Sequence, residues 1–168
     1  MNEFATKFRW LALLLAAAAM GGCSRDVQIA LDAKDITGAK PSVEVHLIGV
    51  RNTGEYRRLH DMSMTDYWAN VKADANVYVM KFGEGLAGTQ LLKTGDPIWA
   101  NQWKDAKMLF VLSSYPSQKD MAGDSDGRRL ILPLNWRSWS GSGPIPIDIK
   151  ATGLVCQKPY KPWNPFEN

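Results

Sequence analysis

Two cysteines and two histidines in 168 residues leave few ways to build a reactive centre. Cys23, Cys156, His46 and His60 are too few for a disulfide framework or for a cluster of zinc ligands. No HExxH and no GxSxG motif occurs, and no cysteine lies near either histidine in sequence, so each histidine reads as a satisfied or solvent-facing side chain. Catalytic residues, metal ligands and cofactors are therefore all expected to be none. The glycine-rich GEGLAG at Gly83 to Gly88 has no lysine or helix start at phosphate-binding spacing and reads as a flexible turn. DMAGDSD, Asp120 to Asp126, sets three acids near a glycine but lacks the spaced ligands and closing glutamate of a calcium loop, so a solvated loop accounts for it better. Concentrated positive charge is missing too. The net charge is +3, and the only basic doublets are Arg57 with Arg58 and Arg128 with Arg129, which excludes a nucleic-acid partner.

Long apolar runs are also absent apart from one. Lys7 and Arg9 precede LALLLAAAAMGGC, Leu11 to Cys23, whose apolar part from Trp10 to Met20 falls short of the roughly 20 residues of a spanning helix. Basic start, short apolar stretch and small residues at its end make an export signal. Gly21 and Gly22 let the backbone lie extended in a peptidase groove, and Cys23 follows with a thiol that can be acylated. The stretch resembles the bacterial lipobox, with Met20 where leucine is commonest. That resemblance implies a signal peptide over 1–22, and Cys23 as the lipidated first residue carrying palmitate-type chains into membrane lipid. Ser24, in place of aspartate, implies sorting to the outer membrane. Plainer readings remain: an ordinary cysteine beyond a normal cleavage site, an uncleaved anchor, or a buried helix. Two or more acyl chains hold a protein stably where one does so only marginally. With Cys23 lipidated, Cys156 has no partner within the chain; it reads as a small buried hydrophobe or as a thiol that pairs with another protein.

About 145 residues follow Cys23, enough for one domain with its own core. Val27 to Asp32 and Ser42 to Val50 alternate apolar and polar residues, the period of a strand with one buried face. Asn76 to Phe82, Thr89 to Lys93, Arg129 to Asn135 and Pro144 to Ala151 read as further strands, and MLFVLS at Met108 to Ser113 as a central strand covered on both sides. Glu55 to Asn70 is expected to be short helix or irregular structure capping one end of the core, and Asp96-Pro97 to start a helical turn carrying Ile98, Trp99 and Trp103. Gly49 reads as a strand end or bulge. Seven or so strands with little helix predict an all-β fold, an antiparallel β-sandwich with short helical insertions, over 23–156. The proline-rich remainder, 157–168, is expected to be extended or disordered.

Ser114 to Arg128 is a long polar loop, of a kind usually functional or mobile. Trp136 and Trp139 lie in a Ser/Gly turn, less easily explained as core, and are candidates for protein contact or, with Tyr115, for gripping a sugar ring.

Taken in order, the lipobox, the strand Val27 to Asp32, a polar loop, PSVEVHLIGV at Pro41 to Val50, a helical insertion, MLFVLSSY and RRLILPL resemble the TssJ-like lipoprotein subunit of type VI secretion systems. The match rests on Pro41, Ser42, Val43, Val45 and Leu47, and on Arg128, Arg129, Leu130 and Leu132. The resemblance implies a transthyretin-like sandwich, tethered to the outer membrane with its domain in the periplasm, that has no enzymatic activity. It implies a periplasmic protein partner, the end of an inner-membrane secretion protein. Binding would fall to the loop Ala33 to Lys40, with Lys34, Asp35, Ile36, Thr37 and Gly38 as the contact residues. Two other readings stay open: an envelope lipoprotein that binds a glycan or other ligand through Trp136, Trp139 and Tyr115, and an envelope enzyme inhibitor that inserts the loop Ser114 to Arg128.

Overall fold

A computed structural model describes residues 25–34, 38–70, 76–116, 120–121 and 125–166. Cys23 and the rest of the expected signal segment lie outside them. Among the described residues, eight strands form two four-stranded sheets. The strands are β1 (Val27–Leu31), β2 (Val43–Val50), β3 (Val77–Phe82), β4 (Thr89–Leu92), β5 (Met108–Ser113), β6 (Arg129–Pro133), β7 (Ile145–Lys150) and β8 (Gly153–Cys156). One sheet has the order β4-β1-β7-β8 and the other β3-β2-β5-β6. The expected all-β sandwich with short helical insertions is present. Five of the six described pairings are antiparallel, and β1 with β7 is parallel. No hairpin constrains that pair, because the whole second sheet lies between the two strands in sequence. β8 was not anticipated: Gly153 to Cys156 is too short to show an alternation.

Period-2 patterning decides which side chains fill the space between the sheets. Val27, Ile29 and Leu31 of β1 and Ile145, Ile147 and Ile149 of β7 face Val43, Val45 and Leu47 of β2 and Leu109 and Val111 of β5, all buried. The sandwich closes along one side, where β6 approaches β8 and the Leu154 N–H donates to the Gly127 carbonyl at 2.7 Å. Gly153 makes that approach possible. Its φ is +126°, and a β-carbon there would stand 2.2 Å from the Gly127 oxygen.

The second sheet is covered on its outer face as well. Helix α1 (Thr53–Asp61) and helix α2 (Met64–Asn70) lay Tyr56, Leu59, Met64 and Tyr67 on Ile48, Val50, Met108, Phe110 and Leu112. This corrects the expectation that the segment caps an end of the core: β5 is apolar on its outer face through Met108, Phe110 and Leu112, β2 adds Ile48 and Val50, and burial of these side chains drives the helices onto the sheet. Asn52 caps α1 by accepting from the Glu55 N–H at 2.9 Å, and Ser63 Oγ accepts from the Asp66 N–H at the start of α2. A third helix, α3 (Pro97–Asn101), capped by Asp96, plugs one end of the sandwich with Ile98, Trp99 and, just after it, Trp103. Gly49 lies within β2, neither bulge nor strand end, and is small because Trp103 packs on it; a β-carbon there would stand 2.4 Å from Trp103 Cγ.

After Cys156 the chain runs extended and is strapped to the domain. Tyr160 bridges to Trp139, the Lys161 N–H donates to the Ser138 carbonyl at 2.7 Å, and Phe166 is buried against Tyr56 on the outer face of the second sheet.

Candidate functional site

Strand direction divides the sandwich into two ends. Where the chain reaches the domain, Arg25 Nη1 donates to the carbonyls of Gly141 at 2.9 Å and Gly143 at 3.4 Å, and Asp26 Oδ1 accepts from the Thr94 N–H. This proximal end carries the connection from β6 to β7, helix α3 and the start of the tail. The opposite, distal end carries the loops 32–42, 83–88, 114–128 and 151–152. Two of them are tied to strands of the first sheet: the Leu31 N–H of β1 donates to the Gly88 carbonyl at 2.8 Å, and the Leu154 N–H of β8 to that of Gly127.

The loop expected to bind a partner is thus distal. Lys34 and Gly38 are exposed there, and Asp35, Ile36 and Thr37 lie outside the described residues. The loop's root is fixed, because Ala33 is buried in the core and the Asp32 N–H donates to the Ile149 carbonyl. Lys40 is exposed and sets its ammonium against Gly88. Two large apolar side chains stand in solvent on separate distal loops, Leu86 with 51% and Met121 with 54% of its surface free.

The long loop before β6 is held by a buried ion cluster. Arg128 donates through Nε to Asp126 Oδ1 at 2.9 Å and through Nη2 to Asp126 Oδ2 at 2.7 Å, and also pairs with Asp120. Asp126 further accepts the N–H groups of Arg128 and Met121, and Asp120 that of Thr65 at the start of α2. Burial works to raise the Asp126 pKa, but the hydrogen bonds and charge of Arg128 and the Met121 N–H outweigh it and hold the carboxyl at about 2. The next residue, Arg129, is also buried; it donates to the His60 carbonyl at 2.8 Å and to that of Met62, closing the C-terminal end of α1. The sequence reading took these acids for a solvated loop. The missed signal was an aspartate two residues before an arginine doublet that opens an apolar strand.

The aromatic candidates do not share a surface. Trp136 is exposed, in a 3-10 turn over Trp136–Ser138. Trp139 is buried, its Nε1 donating to the Pro133 carbonyl at 2.8 Å and its ring 5.0 Å from that of Tyr160. Tyr115 is half-buried against the core.

Both histidines are engaged. His46, buried under α2, lies 2.7 Å from Tyr67 Oη and 2.7 Å from Glu44 Oε1, and His60 stacks on Tyr56. The Cys156 thiol points into the core opposite Ile147, and its burial raises its pKa. Among the described residues no group of three or more His, Cys, Asp or Glu side chains is placed to hold a metal ion, and no helix is long and apolar enough to cross a membrane.

No protein-family model matches the chain, and no curated protein does. Solved structures do. A chain of the structure "T6SS protein TssM C-terminal domain (869-1107) from EAEC" is similar at 13% identity and a TM-score of 0.50, with 79% of this chain and 95% of that one covered. "Serratia marcescens Lip, a membrane bound component of the Type VI Secretion System" is similar at 16% identity and a TM-score of 0.46, covering 79% and 97%. The "T6SS lipoprotein TssJ1 from Pseudomonas aeruginosa" is similar at 12% identity and a TM-score of 0.45, covering 83% and 99%. The first of these likenesses is one of fold, and a shared fold leaves function to be argued from the site.

Proposed function

We propose that this protein is an envelope lipoprotein that holds a protein partner near the outer membrane and catalyses no reaction. Residues 1–22 direct export, Cys23 carries the acyl chains, and the domain stands in the periplasm as the lipoprotein subunit of a type VI secretion system. The loop Ala33 to Lys40, through Lys34, Asp35, Ile36, Thr37 and Gly38, grips the periplasmic end of an inner-membrane secretion protein. One observation carries the reading: the chain reaches the domain at Arg25, two residues past Cys23, at the end of the sandwich opposite that loop. A strand of eight residues such as β2 spans about 26 Å, so a tether at one end leaves the other clear of the bilayer.

Two measurements test it. Metabolic labelling with an alkyne palmitate analogue should mark the wild-type protein and not Cys23→Ser. Replacing residues 33–40 with glycine and serine should leave the fold intact and abolish capture of the partner from solubilised envelopes. Undiminished capture removes the loop's role, and failure to label removes the anchor.

A further inference from the structure

The proximal end has a composition that tethering by acyl chains does not require. Trp136, with 55% of its surface free, and Trp163, with 38%, are the exposed tryptophans among the described residues. Both belong to segments gathered where the chain arrives. Arg25 donates to the carbonyls of Gly141 and Gly143, Lys158 Nζ to that of Ser142 at 2.7 Å, and the Lys161 N–H to that of Ser138. Arg137 and Lys161 are exposed beside them, with the Arg137 guanidinium 5.5 Å from the centre of the Trp136 ring. Two of the carboxylates at this end are turned to backbone: Asp26 accepts from Thr94 and Asp96 from Ile98, while Asp105 is exposed.

These indoles are not exposed through looseness. Asn135 caps the turn by accepting from the Arg137 N–H at 3.0 Å, Trp139 nails it to the core, and Phe166 fixes the far side of Trp163. A rigid surface that presents indole rings among guanidinium and ammonium groups fits the boundary between lipid headgroups and acyl chains. There tryptophan places its apolar body in hydrocarbon and its N–H among polar groups, and cations meet phosphates. Arg25, two residues past Cys23, belongs to this same face.

We infer that the proximal end is a lipid-contacting face, in which Trp136 and Trp163 enter the bilayer boundary and Arg137 and Lys161 meet headgroup phosphates. The inference rests on the anchoring reading for bringing a bilayer to this end. The contact fixes the orientation of the domain, so that the distal loops point away from the membrane rather than swinging on a tether.

The test uses the full chain purified from membranes and reconstituted into vesicles of three parts phosphatidylcholine to one part phosphatidylglycerol, with lipids brominated in mid-chain. Bromine quenches only indoles that reach the acyl region. The wild-type protein should lose fluorescence, and the quenchable part should fall by roughly half or more in Trp136→Phe with Trp163→Phe, whose melting point is unchanged. Equal quenching in the two proteins, both still vesicle-bound, overturns the face and leaves the anchor standing. Should palmitate labelling show no acylation, co-flotation of the same proteins with the vesicles decides. Binding weakened several-fold by the double substitution supports the face, and equal or no binding overturns it. A photo-crosslinking residue at Trp136 that captures a protein and no lipid in whole cells also overturns it.

Discussion

Asp126→Ala is the perturbation that probes how the distal loops are held. The substitution removes the acceptor of four hydrogen bonds, from the N–H groups of Met121 and Arg128 and from Arg128 Nε and Nη2. It leaves a buried guanidinium with Asp120 as its remaining charge partner. Breaking one side of a buried pair costs about 3 to 5 kcal/mol, and the surviving contact to the half-buried Asp120 places this case near the lower figure, about 3 kcal/mol. With a urea slope of about 2 kcal/mol per molar, the unfolding midpoint of the full chain in detergent should fall by about 1.5 M. Acid offers a second handle. The folded carboxyl titrates at about 2, below its ordinary 3.8, so the stability it contributes is present above pH 4 to 5 and is lost as pH falls through about 2. That contribution is about 2.5 kcal/mol, so the gap between wild type and Asp126→Ala should narrow by about 2 kcal/mol between pH 6 and pH 2. A midpoint shift below about 0.5 M, or a gap that stays constant with pH, would refute the cluster's role.

Three other outcomes follow from the packing. Gly49→Ala forces a methyl into Trp103 and should destabilise the domain by about 1 to 3 kcal/mol, read as a lower melting temperature with the Trp103 to Asn76 hydrogen bond weakened. Phe166→Ala removes the buried end of the tail and should cost about 3 kcal/mol in urea unfolding; no change would mean that the strap carries no load. The Cys156 thiol, its pKa raised by burial and only partly lowered by Lys158, should alkylate with iodoacetamide at pH 8 at least about tenfold more slowly in the folded protein than in urea.

What could be read from the chain followed the range of the forces involved. β1 and β7 showed themselves because each alternates against a single core, and β5 because a strand covered on both faces has no polar positions. The Asp96-Pro97 start of α3 was equally local, a cap followed by a residue that needs no N–H donor. Features set by distant partners stayed hidden. Trp139 sits among serines and glycines in sequence, and only the Pro133 carbonyl and the Tyr160 ring make its position core. Gly49 resembled a bulge because Trp103, which demands it, lies far along the chain. Asp126 looked solvated because Arg128, its partner, stood at the end of the same polar loop and nothing local showed that both turn inward. Of the candidate partner loop, Lys34 and Gly38 are exposed as a contact residue must be, while Asp35, Ile36 and Thr37 lie outside the described residues, as does the lipidation candidate Cys23.

The parallel pairing of β1 with β7 carries more of the functional argument than any single side chain. Two parallel strands begin at the same end of a sheet, so the segment that delivers the chain to β7, Trp136 to Pro144, must lie beside the segment that delivers it to β1. The Arg25 contacts to Gly141 and Gly143 are the direct consequence. β6 finishes at this end too, at Pro133, so the Trp136 turn that follows three residues later stands beside Arg25 rather than among the loops 32–42 and 83–88. As built, β1 leads away from the tryptophan-bearing end and delivers the chain to the loop 32–42 at the other. One strand direction thereby separates a face suited to lipid from a face suited to protein. A substitution at Trp136 or Trp163 should therefore alter membrane contact without touching partner capture, and the loop replacement should do the reverse.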